Sequence, residues 1–185
     1  MNKLVTCLVF ATLMISCKSK KKKENKTFFS VLNYLQAQVK QLDTGNYRFT
    51  RIETLNGITD TTEMPKSEVS ARVHDFISLP DISAAEQKDN YEEANTYDET
   101  LGNVLLTYTA KNPDEAVRSE TVMLEPDSSG NTRPVTILIN WIESGKDSTV
   151  VKDMTWHVNK RFQIVTKTSK PGQQEQIRTL AVKWE

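Results

Sequence analysis

Six apolar segments separated by short polar turns follow one another between Gly102 and the end of this 185-residue chain. In each segment alternate residues are apolar, which is the period of a strand with one buried face. The alternating residues are Val104, Leu106 and Tyr108; Val122 and Leu124; Val135, Ile137, Ile139 and Trp141; Val150, Met154, Trp156 and Val158; Phe162 and Ile164; and Leu180, Val182 and Trp184. Parallel neighbours need long crossover connections, which these turns cannot provide. The pattern therefore predicts an antiparallel meander.

A helix and a hairpin are predicted upstream of the meander. Residues 27–42 carry apolar side chains at helical spacing, and we expect Thr27 to cap this helix and Gly45 to end it. Two strands, 47–55 and 58–63, flank Asn56-Gly57, which is a strong hairpin turn signal. Together these elements predict an α+β domain in which an N-terminal amphipathic helix packs on a curved, mainly antiparallel β-meander.

The segment between the hairpin and the meander is less regular. Pro65 suits the first turn of a second helix, and Pro80 prevents that helix from continuing. Residues 81–100 are polar and acidic, and we predict a loop that contains a short turn and an edge strand.

The N-terminus has the plan of a secretory signal. Lys3 precedes an apolar run from Leu4 to Ile15, which is too short for a spanning helix, and Cys17 follows directly. This arrangement resembles a bacterial lipoprotein signal, which implies that Cys17 is acylated and becomes the first mature residue. Cys7 would leave with the signal peptide. The predicted organisation is a signal peptide (1–16), a lipidated, lysine-rich tether (17–26) and one globular domain (27–185).

Two other interpretations of the N-terminus remain open. The chain could be cut by an ordinary signal peptidase, which would leave Cys17 as an incidental thiol, or the apolar run could stay uncleaved. Six lysines lie between residues 18 and 26, and this flank would prefer the cytoplasmic side of a membrane. The tether is interpreted either as a solvated spacer or as a segment attracted to anionic head groups.

Composition limits the possible partners. Residues 27–185 carry 17 basic and 23 acidic residues, a net charge of about −6, and contain no cysteine. This acidic domain lacks a basic aromatic patch, so we predict no nucleic-acid partner. Because no cysteine remains, stability must come from burial and hydrogen bonding instead of disulfides.

The sequence contains no recognisable catalytic, metal or cofactor motif, so we predict a protein that is not an enzyme and binds no cofactor. His74 and His157 are the only histidines, and each is interpreted as a surface or locally hydrogen-bonded residue. An acidic group could supply oxygen ligands to calcium, but it lacks the ordered spacing of an EF-hand and favours a solvated loop. Residues 144–147 are interpreted as a hairpin turn and not as a phosphate loop. The acidic group comprises Asp89, Glu92, Glu93, Asp98 and Glu99.

The whole chain resembles small uncharacterised envelope lipoproteins of Bacteroidota-type bacteria in its signal, stalk, helix and strand-rich acidic domain. This resemblance implies a lipid-anchored protein of the bacterial envelope, in the outer membrane and facing the periplasm. The expected function is non-enzymatic binding or interaction with another envelope protein. The alternative is a periplasmic carrier that holds an apolar ligand or lipid in a concave half-barrel. In that case a groove would be lined by Trp141, Trp156, Trp184, Tyr108 and Phe162.

Overall fold

The computed structural model describes residues 27–185. All nine strands of this region form one sheet in the order β2-β1-β9-β8-β7-β6-β5-β4-β3, and every neighbouring pair is antiparallel. The predicted antiparallel sheet is therefore confirmed. In chain order the elements are α1 (Val31–Thr44), β1 (Phe49–Leu55), β2 (Ile58–Met64), α2 (Val69–Ile77), β3 (Tyr91–Asp98), β4 (Asn103–Ala110), β5 (Val117–Pro126), β6 (Thr132–Ser144), β7 (Thr149–His157), β8 (Arg161–Ser169) and β9 (Gln176–Trp184).

The predicted fold class, an α+β domain with an N-terminal amphipathic helix packed on a curved meander, is wrong. The described residues form a single nine-stranded antiparallel sheet with two short internal helices of 14 and 9 residues. The β1–β2 hairpin is not a separate unit, because β1 pairs along its whole length with β9. At the opposite edge, β3 is the edge strand that the sequence predicts within residues 81–100. Among the described strands, β1 and β9 are the one neighbouring pair that is not consecutive in the chain, and their pairing joins the hairpin to the sheet.

The first helix begins later than predicted. Its N-cap is Ser30, whose hydroxyl accepts a hydrogen bond from the Asn33 amide at 3.4 Å, and Thr27 lies outside it. Phe28 instead packs its ring against Tyr108 of β4, at 4.6 Å between centroids. The Phe29 amide donates to the Tyr108 hydroxyl at 2.9 Å. These contacts hold Phe28 and Phe29 in a non-helical segment before α1, although Phe28 has the spacing of the apolar face predicted for the helix.

The turns around the first hairpin follow local chemistry. Asn56 and Gly57 both have positive φ, +50° and +84°, as a two-residue type I′ turn requires. Pro65 lies before a short 3₁₀ turn (Lys66–Glu68), and α2 starts only at Val69. The N-terminal boundary of the second helix is therefore displaced from its predicted position, whereas the hairpin is confirmed.

The core lies between the helices and one face of the sheet. Trp156 of β7 and Phe162 of β8 are cross-strand partners, and their rings stack at 5.5 Å between centroids. Phe76 of α2 meets both rings edge-on, at 5.3 and 5.5 Å. All three side chains are fully buried. Burial of each such side chain contributes about 1.5–3 kcal/mol, so this aromatic cluster fastens α2 to the sheet.

Candidate functional site

The turn between β7 and β8 gathers positive charge at one end of the sheet. Asn159 adopts φ +58° in this turn, and the Lys160 amide donates to the His157 carbonyl at 3.1 Å. Two grooves flank the turn and share Asn159 and Lys160. We call the cations that line these grooves the basic end: Arg48, Arg133, Lys160, Arg161 and Lys183.

The first groove lies between α1 and the ends of β5, β6 and β7, and we call it the α1 groove. It has a volume of about 410 Å³, which falls within the usual range of small-molecule sites. Its charged side chains are Glu125, Arg133 and Lys160. Burial raises the pKa of the Tyr34 phenol in its wall, an effect that the neighbouring Arg133 opposes. Polar and charged groups from four elements therefore converge on this groove.

His157 forms part of the groove wall and is half-buried. An Arg161 guanidinium nitrogen lies 3.4 Å from its Nε2, and the Thr136 hydroxyl lies 3.1 Å from its Nδ1. Because a guanidinium can only donate, Nε2 must accept, and the neutral imidazole then donates from Nδ1 to Thr136. Burial and, to a smaller extent, Arg161 and Lys160 lower the pKa of this histidine. The ring is thus kept neutral among cations.

The second groove lies on the other side of the turn and has a volume of about 520 Å³. It is lined by Arg48, Arg161 and Lys183 together with Trp184 and Glu185. Glu185 pairs with Arg48 at 3.3 Å, but both side chains are about 80% exposed, so this pair contributes little to stability.

The strand order separates the charges of the domain. Residues 81–147, which contain β3 to β6, carry 14 acidic and 5 basic residues. Residues 148–185, which contain β7 to β9, carry 7 basic and 3 acidic residues. The domain of residues 27–185, which is acidic as a whole, therefore presents one region that attracts anions.

A buried carboxyl lies in the acidic half of the sheet, away from these grooves. Glu120 of β5 is 2% exposed and stands between Tyr108 of β4 and Ile139 of β6 in register. Its Oε2 has no hydrogen-bond partner among residues 27–185. Burial first, and then the charge of Asp81, raise the pKa of Glu120 to about 8. This carboxyl is therefore protonated at neutral pH.

The residues singled out in the sequence are dispersed in the structure. Cys7 and Cys17 lie outside the described residues. His74 lies on α2 and lines neither groove, whereas His157 forms part of one. The Gly145 amide donates to the Ser148 carbonyl at 2.8 Å, which confirms a hairpin turn at residues 144–147.

The acidic group does not form the predicted solvated loop. Glu92, Glu93 and Asp98 belong to strand β3, where neighbouring side chains point to opposite faces. Asp98 accepts hydrogen bonds from the Thr100 and Leu101 amides and closes the turn into β4. Within residues 27–185, no group of three or more histidine, cysteine or acidic side chains is arranged to hold a metal ion.

The aromatic residues expected to line an apolar groove are mainly core residues. Tyr108, Trp156 and Phe162 are fully buried, and Trp184 is 7% exposed. Trp141 is only partly buried and lies beside Lys152, whose ammonium is 5.0 Å from the ring centroid. The buried face of the sheet is thus covered by these rings and by α2, where an apolar groove was expected.

The basic end was missed by the sequence analysis because Tyr34, Arg133 and His157 are far apart in sequence and belong to different elements. The excess of basic residues after position 147 is a feature of the sequence that indicates part of this basic region. No helix within residues 27–185 has the length and apolar character needed to cross a membrane. No family model, curated protein or solved structure matches the chain.

Proposed function

We propose that this protein is a lipid-anchored protein of the bacterial envelope whose domain serves non-enzymatic binding. The anchor is Cys17, acylated after removal of residues 1–16, and residues 18–26 form the tether. The expected place is the outer membrane, with the domain facing the periplasm. Its partner is an envelope component that presents negative charge.

The basic end is the observation that carries the binding role. Among residues 27–185, five cations line the two grooves, and Glu125 and Glu185 alone supply carboxylates to the groove walls. Surface cations on an acidic domain do little for its stability, because exposed charges and exposed ion pairs such as Arg48–Glu185 contribute little. They do steer an anionic partner to one place on the surface.

The carrier alternative receives no support from the filled core. A carrier of an apolar ligand needs an open apolar space, whereas Trp156 and Phe162 are covered by Phe76. We therefore place the binding site on the charged surface of the domain.

The anchor is tested by labelling expressing cells with radioactive palmitate. We expect label on the wild-type protein and on Cys7→Ala, the matched control, but none on Cys17→Ala. The labelled protein should stay with membranes in alkaline carbonate, since two or more acyl chains give stable anchoring. Label that survives Cys17→Ala, or wild-type protein released by carbonate, would contradict the proposal.

A further inference from the structure

We infer that the α1 groove binds a ligand that carries a phosphate monoester group. This inference rests on the proposed binding function and names the chemistry of its ligand. The phosphate would lie between Arg133 and Lys160, with the organic part of the ligand along the wall formed by Tyr34, Pro134 and Val135.

The two cations of the groove are available to such a ligand. Neither Arg133 nor Lys160 makes a side-chain hydrogen bond or an ion pair with any residue in 27–185, and both are exposed. Arginine offers paired donors that match phosphate oxygens, and lysine adds a point charge. A phosphate monoester carries about −1.5 to −2 charges at pH 7, which compensates two cations better than one carboxylate does.

The size and wall of the groove favour an organic phosphate over a bare ion. Its volume of about 410 Å³ is much larger than a phosphate group needs. Among residues 27–185, one acidic side chain, Glu125, shares the groove, and it is the register partner of Arg133 across β5 and β6. It would repel an anion at that edge and so direct the phosphate towards Lys160.

His157 provides an internal reporter of the bound charge. The cations Arg161 of β8 and Lys160 of the turn face its ring. The Thr136 hydroxyl of β6 is hydrogen-bonded to its Nδ1, and the acidic side chain in the same groove wall is that of Glu125. A dianion within a few ångströms favours the imidazolium form and raises the pKa of the ring. His74, the other histidine, lies on α2 outside the groove and serves as the control within the same molecule.

The test is an NMR titration of both imidazoles in the full-length chain in uncharged detergent micelles, with His157→Gln to assign the resonances. The probes are phenyl phosphate, as a soluble ligand, and phosphatidic acid mixed into the micelles, as a lipid head group. Phosphatidylcholine is the zwitterionic control. We expect the pKa of His157 to rise by about half a unit to one unit with the probe that fits, and the resonances of His74 not to respond to that probe.

Charge-matched variants separate the groove from general attraction, to which the tether lysines also contribute. The double variant Arg133→Gln with Lys160→Gln should weaken the affinity for the probe, measured from the saturation of the His157 response, roughly tenfold or more. Lys146→Gln with Lys170→Gln removes the same charge near a different pair of turns and should leave the response unchanged.

A response to phenyl phosphate identifies a soluble ligand, whereas a response to phosphatidic acid alone identifies a head group; both support the inference. No shift of His157 with either probe, equal shifts of both histidines, or equal weakening by the two double variants would overturn it. If the wild-type protein takes up no palmitate, the proposed anchor is refuted, but the result of this titration does not change. Failure of the anchor and failure of the phosphate site are therefore distinguishable.

Discussion

Glu120 should make the protein less stable as the pH rises from about 5 to 7, and Glu120→Gln should remove this dependence. The side chain is buried between β4 and β6, and Oε2 has no hydrogen-bond partner among residues 27–185. The pKa of its carboxyl rises from 4.5 to about 8 on folding, chiefly because burial disfavours the charged form. The amide of glutamine has nearly the same shape and does not ionise.

The sign and size follow from proton linkage. Below about pH 4.5 both the folded and the unfolded states hold the proton, so the favourable contribution of Glu120 is fully present. Between pH 4.5 and 8 the unfolded state releases its proton while the folded state keeps it, and stability falls by about 1.4 kcal/mol per pH unit. At pH 7, about 2.5 units above the unfolded pKa, the accumulated loss is on the order of 3 kcal/mol.

Urea unfolding followed by tryptophan fluorescence at pH 5, 6 and 7 measures the effect. The glutamine amide adds donors that need partners, which contributes a constant offset, so the decisive quantity is the change with pH. The stability of Glu120→Gln relative to wild type should increase by about 1.4 kcal/mol per pH unit. Titration of His157 is common to both proteins and cancels from the comparison.

Glu125→Gln is the matched control, because Glu125 lies on the same strand but is less buried. Its stability relative to wild type should change much less over the same pH range. If the difference between Glu120→Gln and wild type is constant from pH 5 to 7, the carboxyl is not held protonated by burial, and the reasoning is refuted.

Three further perturbations test the packing and the turns, each by urea unfolding. Phe76→Ala should cost about 3–5 kcal/mol because it removes the ring that covers Trp156 and Phe162; a loss below 1 kcal/mol would contradict the packing. Gly57→Ala should lower the free energy of unfolding by about 1 kcal/mol because of its φ of +84°, since nothing lies within 4 Å of the added methyl group. The control Gly145→Ala, at a residue without positive φ, should be nearly neutral, and equal losses for the two variants would exclude backbone strain as the cause. Tyr91→Phe should cost about 1–3 kcal/mol because the Val117 carbonyl loses its buried donor at 3.0 Å, and no loss would mean that this carbonyl finds another partner.

Interactions between close neighbours in sequence were predictable. The Asn56-Gly57 turn depends on two residues that tolerate positive φ, and the alternation from Val104 to Trp184 depends on the strand period of two. Short connections then require antiparallel neighbours, which the structure confirms. Each of these steps needs only local geometry.

Where local signals compete with tertiary contacts, prediction failed. Phe28 fits the helical stripe, but its contact with Tyr108, 80 residues later, keeps it outside α1. The edge strand predicted within residues 81–100 is β3, but Glu92 and Glu93, interpreted as part of a solvated loop, lie in this strand and pair with β4. In both places a tertiary contact provides more stabilisation than local propensity does, from a distant partner for Phe28 and from the next strand for β3.

The sequence by itself determined the strand alternation, the hairpin turns, the separation of charge along the chain and the pattern around Cys17, because each is a property of neighbouring residues. The tertiary structure alone decided that β1 pairs with β9, that Glu120 is buried, and that Tyr34, Arg133 and His157 share one groove. The physical reason is that burial and electrostatic fields depend on distances in space, and those distances exist only after the strands have paired and the helices have packed on the sheet.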